Sequence, residues 1–216
     1  MSKADSAQTP TALPLTRGHK KRERTRQGLL DAALRLYARK EIGEVALLEL
    51  AEEAEVSSGT IYNYFRTRDE VVEAVGMELA AEFSETISAR SAGIASGAQR
   101  LAIGVRMFVR RASEEPQWAS AVIRVVHFDQ AIRSKLALYV LADLRGGLEE
   151  GALAYAEESI ALDLVVSCTL GAMRAAVEGR ALDGQDQVVA EMILKALGAT
   201  PARARKLAQK PLPEPA

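Results

Sequence analysis

Proline is almost missing from the middle of this chain. Six of its seven prolines lie within the first 14 or the last 16 residues, which leaves Pro116 alone between them. Proline removes a backbone donor and clashes with the preceding helical turn, so its confinement to the ends predicts an almost wholly helical, all-α protein. β-Branched residues nowhere alternate with polar ones over a strand's length, and no sheet is expected. Cysteine is reduced to Cys168, which excludes an internal disulfide framework and a cysteine-cluster metal site; this thiol reads as a small buried hydrophobe. The two histidines, His19 and His127, stand far apart. They give no triad, metal cluster or phosphate loop, so neither enzymatic activity nor a cofactor or metal is expected. A signal-peptide pattern is absent, which points to the cytoplasm. The longest apolar stretch, IALDLVVSCTLGAM, is short and interrupted by Asp163, and it reads as a buried helix rather than a membrane span.

What is present is a chain of 216 residues, 48% hydrophobic, enough for one large domain or for a small domain fused to a larger one. A net charge of −1 gives no general affinity for polyanions, yet six of the ten residues in RGHKKRERTR, Arg17 to Arg26, are Lys or Arg. The chain is basic locally, where the first helix begins.

Residues 1–21 carry Pro10 and Pro14 without periodicity and read as a mobile arm. Leu29, Leu30, Ala33, Leu36 and Tyr37 fall near helical spacing and predict a first helix from about Thr25 to Lys40. A short second helix follows over about 47–54. Ser57 suits the N-cap of a third, two-turn helix, because its hydroxyl can accept the amide of Gly59 or Thr60. Thr67 and Glu70 form a capping-box pattern that starts a long fourth helix. Five more helices are expected over about 99–114, 117–128 (with Pro116 in the first turn), 130–150, 157–179 and 186–197, and the Pro-rich stretch 201–216 reads as a flexible tail. The domains are then 22–68 and 69–200.

Two short helices joined by a tight turn, the second presenting small polar and aromatic residues, form a helix-turn-helix pattern whose second helix enters the major groove. Ile61 and Phe65 are expected to seat that helix while Ser58, Gly59, Thr60, Tyr62 and Asn63 look outward. Gly59 lets the backbone approach DNA closely, Asn63 can pair with an adenine edge, and the hydroxyls of Ser58, Thr60, Tyr62 and Tyr64 can serve bases or phosphates. Arg68 opens the fourth helix, where the macrodipole disfavours a cation, so an external phosphate is its expected partner. Arg22, Arg24 and Arg26 complete the expected contacts to DNA. The other reading of Tyr62, Tyr64 and Phe65 is the core of a small helical subdomain.

Residues 24–75, RTRQGLLDAALRLYARKEIGEVALLELAEEAEVSSGTIYNYFRTRDEVVEAV, closely resemble the DNA-binding domain of TetR-type transcriptional regulators. The likeness includes Thr25-Arg26, Ala32-Ala33, Tyr37, Leu50-Ala51 and Ser57, Gly59, Thr60, Ile61, Tyr62, Tyr64 and Phe65, with Arg68 where the family usually has lysine. Three positions depart from the pattern. Glu41 replaces a glycine whose job Gly43 could do, Val45-Ala46 replace the Thr or Ser that starts the second helix, and Glu55 replaces a turn glycine expected to need a left-handed backbone.

The resemblance implies that the remaining helices dimerise and enclose a small-molecule pocket. The apolar flanks of ESIALDLVVSCTLGAMRAAVEG and of the helix after it suit a four-helix interface in a twofold dimer, bound to a palindromic double-stranded operator. Val165, Cys168, Thr169, Val189, Met192, Ile193 and Leu197 are the interface candidates. Phe108, Trp118, Val122, Arg124, His127, Phe128, Tyr139 and Asp143 are candidates to line an effector pocket, the other reading of each being ordinary core packing. The expected function is a ligand-responsive repressor with a small, largely apolar effector, its signal carried by the fourth helix. The alternative is a DNA-bound interaction protein whose larger domain recruits a protein partner and holds no effector.

Overall fold

The computed structural model describes residues 17–37, 39–40, 42–125 and 135–214. They hold helices and turns and no strand. The chain divides into two compact units, residues 1–68 and 69–216.

In the first unit, α1 runs Arg17–Tyr37, a 3-10 turn spans Ile42–Glu44, and α2 (Leu47–Glu53) and α3 (Ser58–Tyr62) follow. Helix α1 starts earlier than its apolar spacing suggests, and residues 17–21 belong to it rather than to a mobile arm. Arg17, Lys20 and Lys21 are straight-chain helix formers, so a helix anchored further along extends through them despite the roughly 1 kcal/mol that Gly18 costs it. Leu29, Leu30, Ala33 and Leu36 of α1 are buried together with Leu50, Ile61 and Phe65. Helix α1 packs on α2, and α2 on α3. Arg35 and Arg39 both hold the Glu53 carboxylate, at 2.8 and 2.6 Å, and Lys40 pairs with Glu49. The hydrogen bond from Arg35 does most to keep the Glu53 carboxyl below its ordinary range, as that from Lys40 does for Glu49.

Helix α2 begins at Ala46 without a side-chain cap. It ends in a Schellman arrangement: Val56 N–H donates to Ala51 O at 2.9 Å and Glu55 N–H to Glu52 O at 3.0 Å. That motif needs a left-handed residue, usually glycine, and Glu55 supplies it at φ 55°. Gly43 lies in the 3-10 turn outside the left-handed region.

The second unit takes up α4, which begins at the last residue of the first (Arg68–Arg90), and adds α5 (Gly97–Glu114), α6 (Pro116–Val125), α7 (Lys135–Glu149), α8 (Glu158–Val177), α9 (Gln185–Ala196) and α10 (Pro201–Gln209). The last of these corrects the flexible tail. Pro201 sits at the first helical position, where its missing N–H costs nothing, Thr200 caps the helix by accepting from Arg203 N–H, and Ala204 and Ala208 are buried. Helix α8 is long and apolar enough to cross a membrane by length and composition, but Ala161, Leu162, Val165, Thr169, Ala172 and Met173 bury one side of it in the unit's own core.

Helix α5 is the axis of this unit and packs against α6, α7, α8, α9 and α10. Its crossing with α7 is close enough that a Cβ on Gly97 would lie 2.5 Å from Asp143 O and Gly147 N, so only glycine fits. Buried Arg106 of α5 donates to Asp186 Oδ2 at 2.9 Å and to Lys210 O at 2.5 Å, tying α9 and the segment after α10 to the axis. Two apolar clusters form around this frame. One joins α5, α7, α8, α9 and α10; the other joins α4, α5, α6 and the Met173 end of α8.

Candidate nucleic-acid interface and ligand cavity

Helix α3 is set by local chemistry. Ser57 Oγ accepts Thr60 N–H at 3.2 Å and lies 2.8 Å from Thr60 Oγ1. Ile61 and Phe65, four residues apart on one side, are 0% and 3% exposed and seat the helix. The outward side carries exposed Ser58, Gly59, Tyr62 and Asn63, with Thr60 and Tyr64 half-buried. A Cβ on Gly59 would meet nothing closer than Ser57 Oγ at 3.9 Å. Nothing inside the first unit therefore requires glycine there, although glycine costs an exposed helix about 1 kcal/mol relative to alanine.

The basic end of α1 lies beside this surface. The Arg22 guanidinium carbon is 5.8 Å from the Tyr64 ring centroid and that of Arg26 is 5.8 Å from the Phe65 ring, within cation–π range. Arg22 and Arg24 are exposed and Arg26 is half-buried. Cations, hydroxyls and an amide side chain thus share one face, the chemistry that phosphates and base edges require. Arg68 departs from the expectation drawn from its helix position, because its Nη1 donates to Gly43 O at 2.5 Å. It has an internal partner, and its placement needs no external anion to explain it. The same cation lies near Tyr37, whose hydroxyl burial pushes up to about 12 against the pull of Arg68.

In the second unit a cavity of about 220 Å³ lies where the two apolar clusters meet. Ser84, Ile87 and Ser88 of α4, with Ser91 in the turn just after it, form one wall, and Arg100, Leu101, Gly104, Val105 and Phe108 of α5 another. Val122, Tyr139, Val140, Asp143, Val165, Val166, Thr169, Leu170 and Met173 complete most of the lining. Of the pocket candidates, Phe108, Val122, Tyr139 and Asp143 are there. Trp118 is not: it is buried behind the wall, 5.8 Å from Phe108 and 5.2 Å from Phe83 by ring centroids, with Arg111 over its face at 4.4 Å. His127 and Phe128 and the Arg124 side chain lie outside the described residues.

The polar groups of the cavity differ in what they have to offer. Ser84 Oγ and Thr169 Oγ1 donate to the carbonyls of Ala80 and Val165, each at 2.7 Å, and so are satisfied by their own helices. Ser91 is 1% exposed, and its hydroxyl has no partner among the described residues. Such a group costs roughly 1–3 kcal/mol when left unpaired. Arg100, which the sequence did not single out, donates from Nε to Asp143 Oδ1 at 2.6 Å and from Nη1 to Ile94 O and Ala95 O at 2.7 and 2.9 Å. Burial raises the Asp143 carboxyl above its ordinary range, and Arg100 opposes that shift.

The interface candidates separate into two sets. Val165, Thr169, Ile193 and Leu197 are 8% exposed or less and belong to the unit's own core, which removes them from a surface. Cys168 is exposed, contrary to the buried thiol expected, as is Met192; Val189 is half-buried. Ile160, Leu182, Val188 and Met192, 56–77% exposed, are large apolar residues on α8, α9 and the link between them. Helix α8 is apolar nearly all round, so its sequence period does not tell which flank turns inward.

Comparison with known proteins gives concordant matches. The family model described as bacterial regulatory proteins, tetR family, matches residues 29–75, and that described as tetracyclin repressor-like, C-terminal domain, matches residues 97–210. The HTH-type transcriptional regulator LuxR of Vibrio harveyi is 39% identical over 75 residues, 32% of this chain and 37% of that protein, so the match spans little more than a third of that relative. Among solved structures, RolR in complex with resorcinol is 27% identical with a TM-score of 0.77, over 90% of this chain and 98% of that one. FadR of Thermus thermophilus, a TetR-family transcriptional repressor in complex with lauroyl-CoA, shares the fold at 21% identity and a TM-score of 0.65, over 81% and 96%.

Proposed function

The chain belongs to the TetR family of DNA-binding transcriptional regulators, and from that premise we propose that it is a homodimeric repressor released from a palindromic operator by a small, largely apolar effector. Members of this family are non-enzymatic. The observation that carries the DNA half of the proposal is α3 itself, seated by Ile61 and Phe65 and presenting Ser58, Gly59, Tyr62 and Asn63 to solvent. Tyr62 and Asn63 read base edges, Gly59 admits the backbone, and Arg22, Arg24, Arg26, Thr60 and Tyr64 hold phosphates. Arg68, one of whose five N–H groups is taken by Gly43, keeps others for a phosphate.

The dimer is supported by the exposed apolar residues of α8 and α9. An isologous twofold contact would cover Ile160, Cys168, Val188 and Met192 on both copies and present two α3 helices to a palindrome. The effector is supported by the cavity, which favours a sensing domain over one that recruits a protein partner through a closed core. A 150 Å³ apolar cavity already accommodates benzene, so about 220 Å³ suits a molecule of one substituted ring, the size of the resorcinol held by RolR. Helix α4 supplies a wall of the cavity and begins at the boundary of the DNA-reading unit. An effector that prefers one position of α4 would thereby shift the spacing of the two α3 helices.

The test uses a duplex selected by this protein from a random-sequence pool. Tyr62→Ala and Asn63→Ala are each expected to weaken specific binding by ~1–3 kcal/mol while leaving non-specific binding unchanged. Full affinity in both variants would remove α3 from the groove.

A further inference from the structure

The polar end of the cavity carries more information than its size. Arg100 joins two places: its Nε holds Asp143, and its Nη1 holds the carbonyls of Ile94 and Ala95. The first of these belongs to the turn in which Ile94 N–H donates to Ser91 O at 2.9 Å. One guanidinium therefore places Ser91 and Asp143 at the same end of the cavity. Its charge is met by the Asp143 carboxylate and two carbonyls, and the carboxylate charge is met by Arg100. Neither charge is left for a ligand, so a carboxylate or an ammonium entering here would be desolvated without a counter-ion.

What remains on offer is hydrogen bonding. Asp143 has about four acceptor positions as a carboxylate, and among the described residues Arg100 Nε uses one. The Ser91 hydroxyl is buried and, among the described residues, unpartnered. The rest of the lining is mostly Ile, Leu, Val, Met and aromatic carbon.

Resting on the effector reading above, we infer that the cavity selects a neutral, single-ring molecule carrying at least one hydroxyl, which donates to Asp143 and pairs with the Ser91 hydroxyl. The ring lies against Phe108, Val122 and Met173. Hydroxylated and plain rings are then separated by hydrogen bonds, because a site built around polar groups rejects the analogue that leaves them unpaired.

Calorimetric titration of the full chain with resorcinol, toluene, benzoate and benzylamine tests this. Resorcinol is expected to bind at least about tenfold tighter than each of the others. Ser91→Ala removes a hydroxyl that bonds nothing among the described residues, so it is expected to fold normally and to weaken resorcinol severalfold without affecting toluene. Asp143→Asn is expected to act in the same direction. Gly104 lines the cavity with nothing within 4 Å of the position a Cβ would take, so Gly104→Leu should fill the space and abolish all binding. Toluene binding as tightly as resorcinol, or benzoate or benzylamine binding tighter, would overturn the inferred chemistry while leaving the effector cavity standing. Binding unchanged by Gly104→Leu, or absent for all four probes, would overturn both.

Discussion

Arg68 and Gly43 are 25 residues apart in sequence and joined by one hydrogen bond, from Nη1 to the glycine carbonyl at 2.5 Å. The bond holds the first residue of α4 against the 3-10 turn between α1 and α2. A charged donor on a backbone carbonyl contributes about 1.5–3 kcal/mol when buried and less here, because Arg68 is exposed. Arg68→Ala is expected to lower stability by roughly 1 kcal/mol in chemical denaturation. If the remaining N–H groups also meet a phosphate, the slope of log affinity against log salt falls by about 0.9. A lower stability with an unchanged slope would leave Arg68 the internal role alone.

Gly59→Ala separates folding from reading. With 3.9 Å to the nearest atom, a methyl group enters freely, and replacing a helical glycine by alanine is expected to stabilise the first unit by ~0.5–1 kcal/mol. The same methyl stands between backbone and DNA, so operator affinity should fall. A variant that gains stability and keeps full affinity would take Gly59 out of the contact surface.

Glu55 is expected to be a residue whose removal stabilises the first unit. Its left-handed backbone, φ 55°, disfavours any residue with a Cβ by roughly 1–2 kcal/mol. Glu55→Gly should therefore raise stability by roughly 0.5–1 kcal/mol after the entropy of the freer unfolded chain is subtracted, seen as a higher denaturation midpoint. A lower midpoint would mean that the carboxylate makes a contribution larger than the strain.

Tyr37 gives the first unit an alkaline limit. Its folded pKa of about 12 exceeds the ordinary value of 10, so the folded state holds this proton more tightly than the unfolded state does. The associated stability is fully present below pH 10 and is lost as pH rises from 10 through 12. Tyr37→Phe should flatten the fall in stability across that window, followed by denaturation at stepped pH. An equally steep fall in the variant would assign it to other groups.

The exposed apolar residues of α8 and α9 are where a twofold contact would form. Met192→Glu and Ile160→Glu, at positions 64% exposed in the single chain, are expected to give folded monomers in sedimentation velocity at micromolar concentration and to lose binding to a palindromic duplex. Val165→Ala, inside the core, should instead cost about 1 kcal/mol of stability or more with dimerisation retained. Dimers that persist in both glutamate variants would place the interface elsewhere.

The parts of this protein legible in its sequence are those decided within a few residues. Ser57 and Thr60 make the start of α3, Ile61 and Phe65 its inward side, and Thr200-Pro201 is a helix-start signal for α10 that the Pro-rich composition after it obscures. The parts not legible depend on partners far along the chain. Arg100 meets Asp143 across 43 residues, and the Gly97 crossing exists only once α7 arrives. The inner and outer flanks of α8 are both apolar, so pattern alone does not separate Val165 and Thr169, which lie in the core, from Cys168, which is exposed.

Arg106 also sets a schedule for biosynthesis. Its guanidinium is buried on the central helix, yet Lys210, whose carbonyl it needs, is translated 104 residues later. At ~5–20 residues per second that is a delay of roughly 5–20 s, during which the axis of the second unit either stays loosely packed or buries an unfinished cation. The DNA-reading unit, complete by Arg68, waits on neither, so a ribosome stalled or a message truncated before codon 210 would release a chain with a finished head and an unfinished sensor.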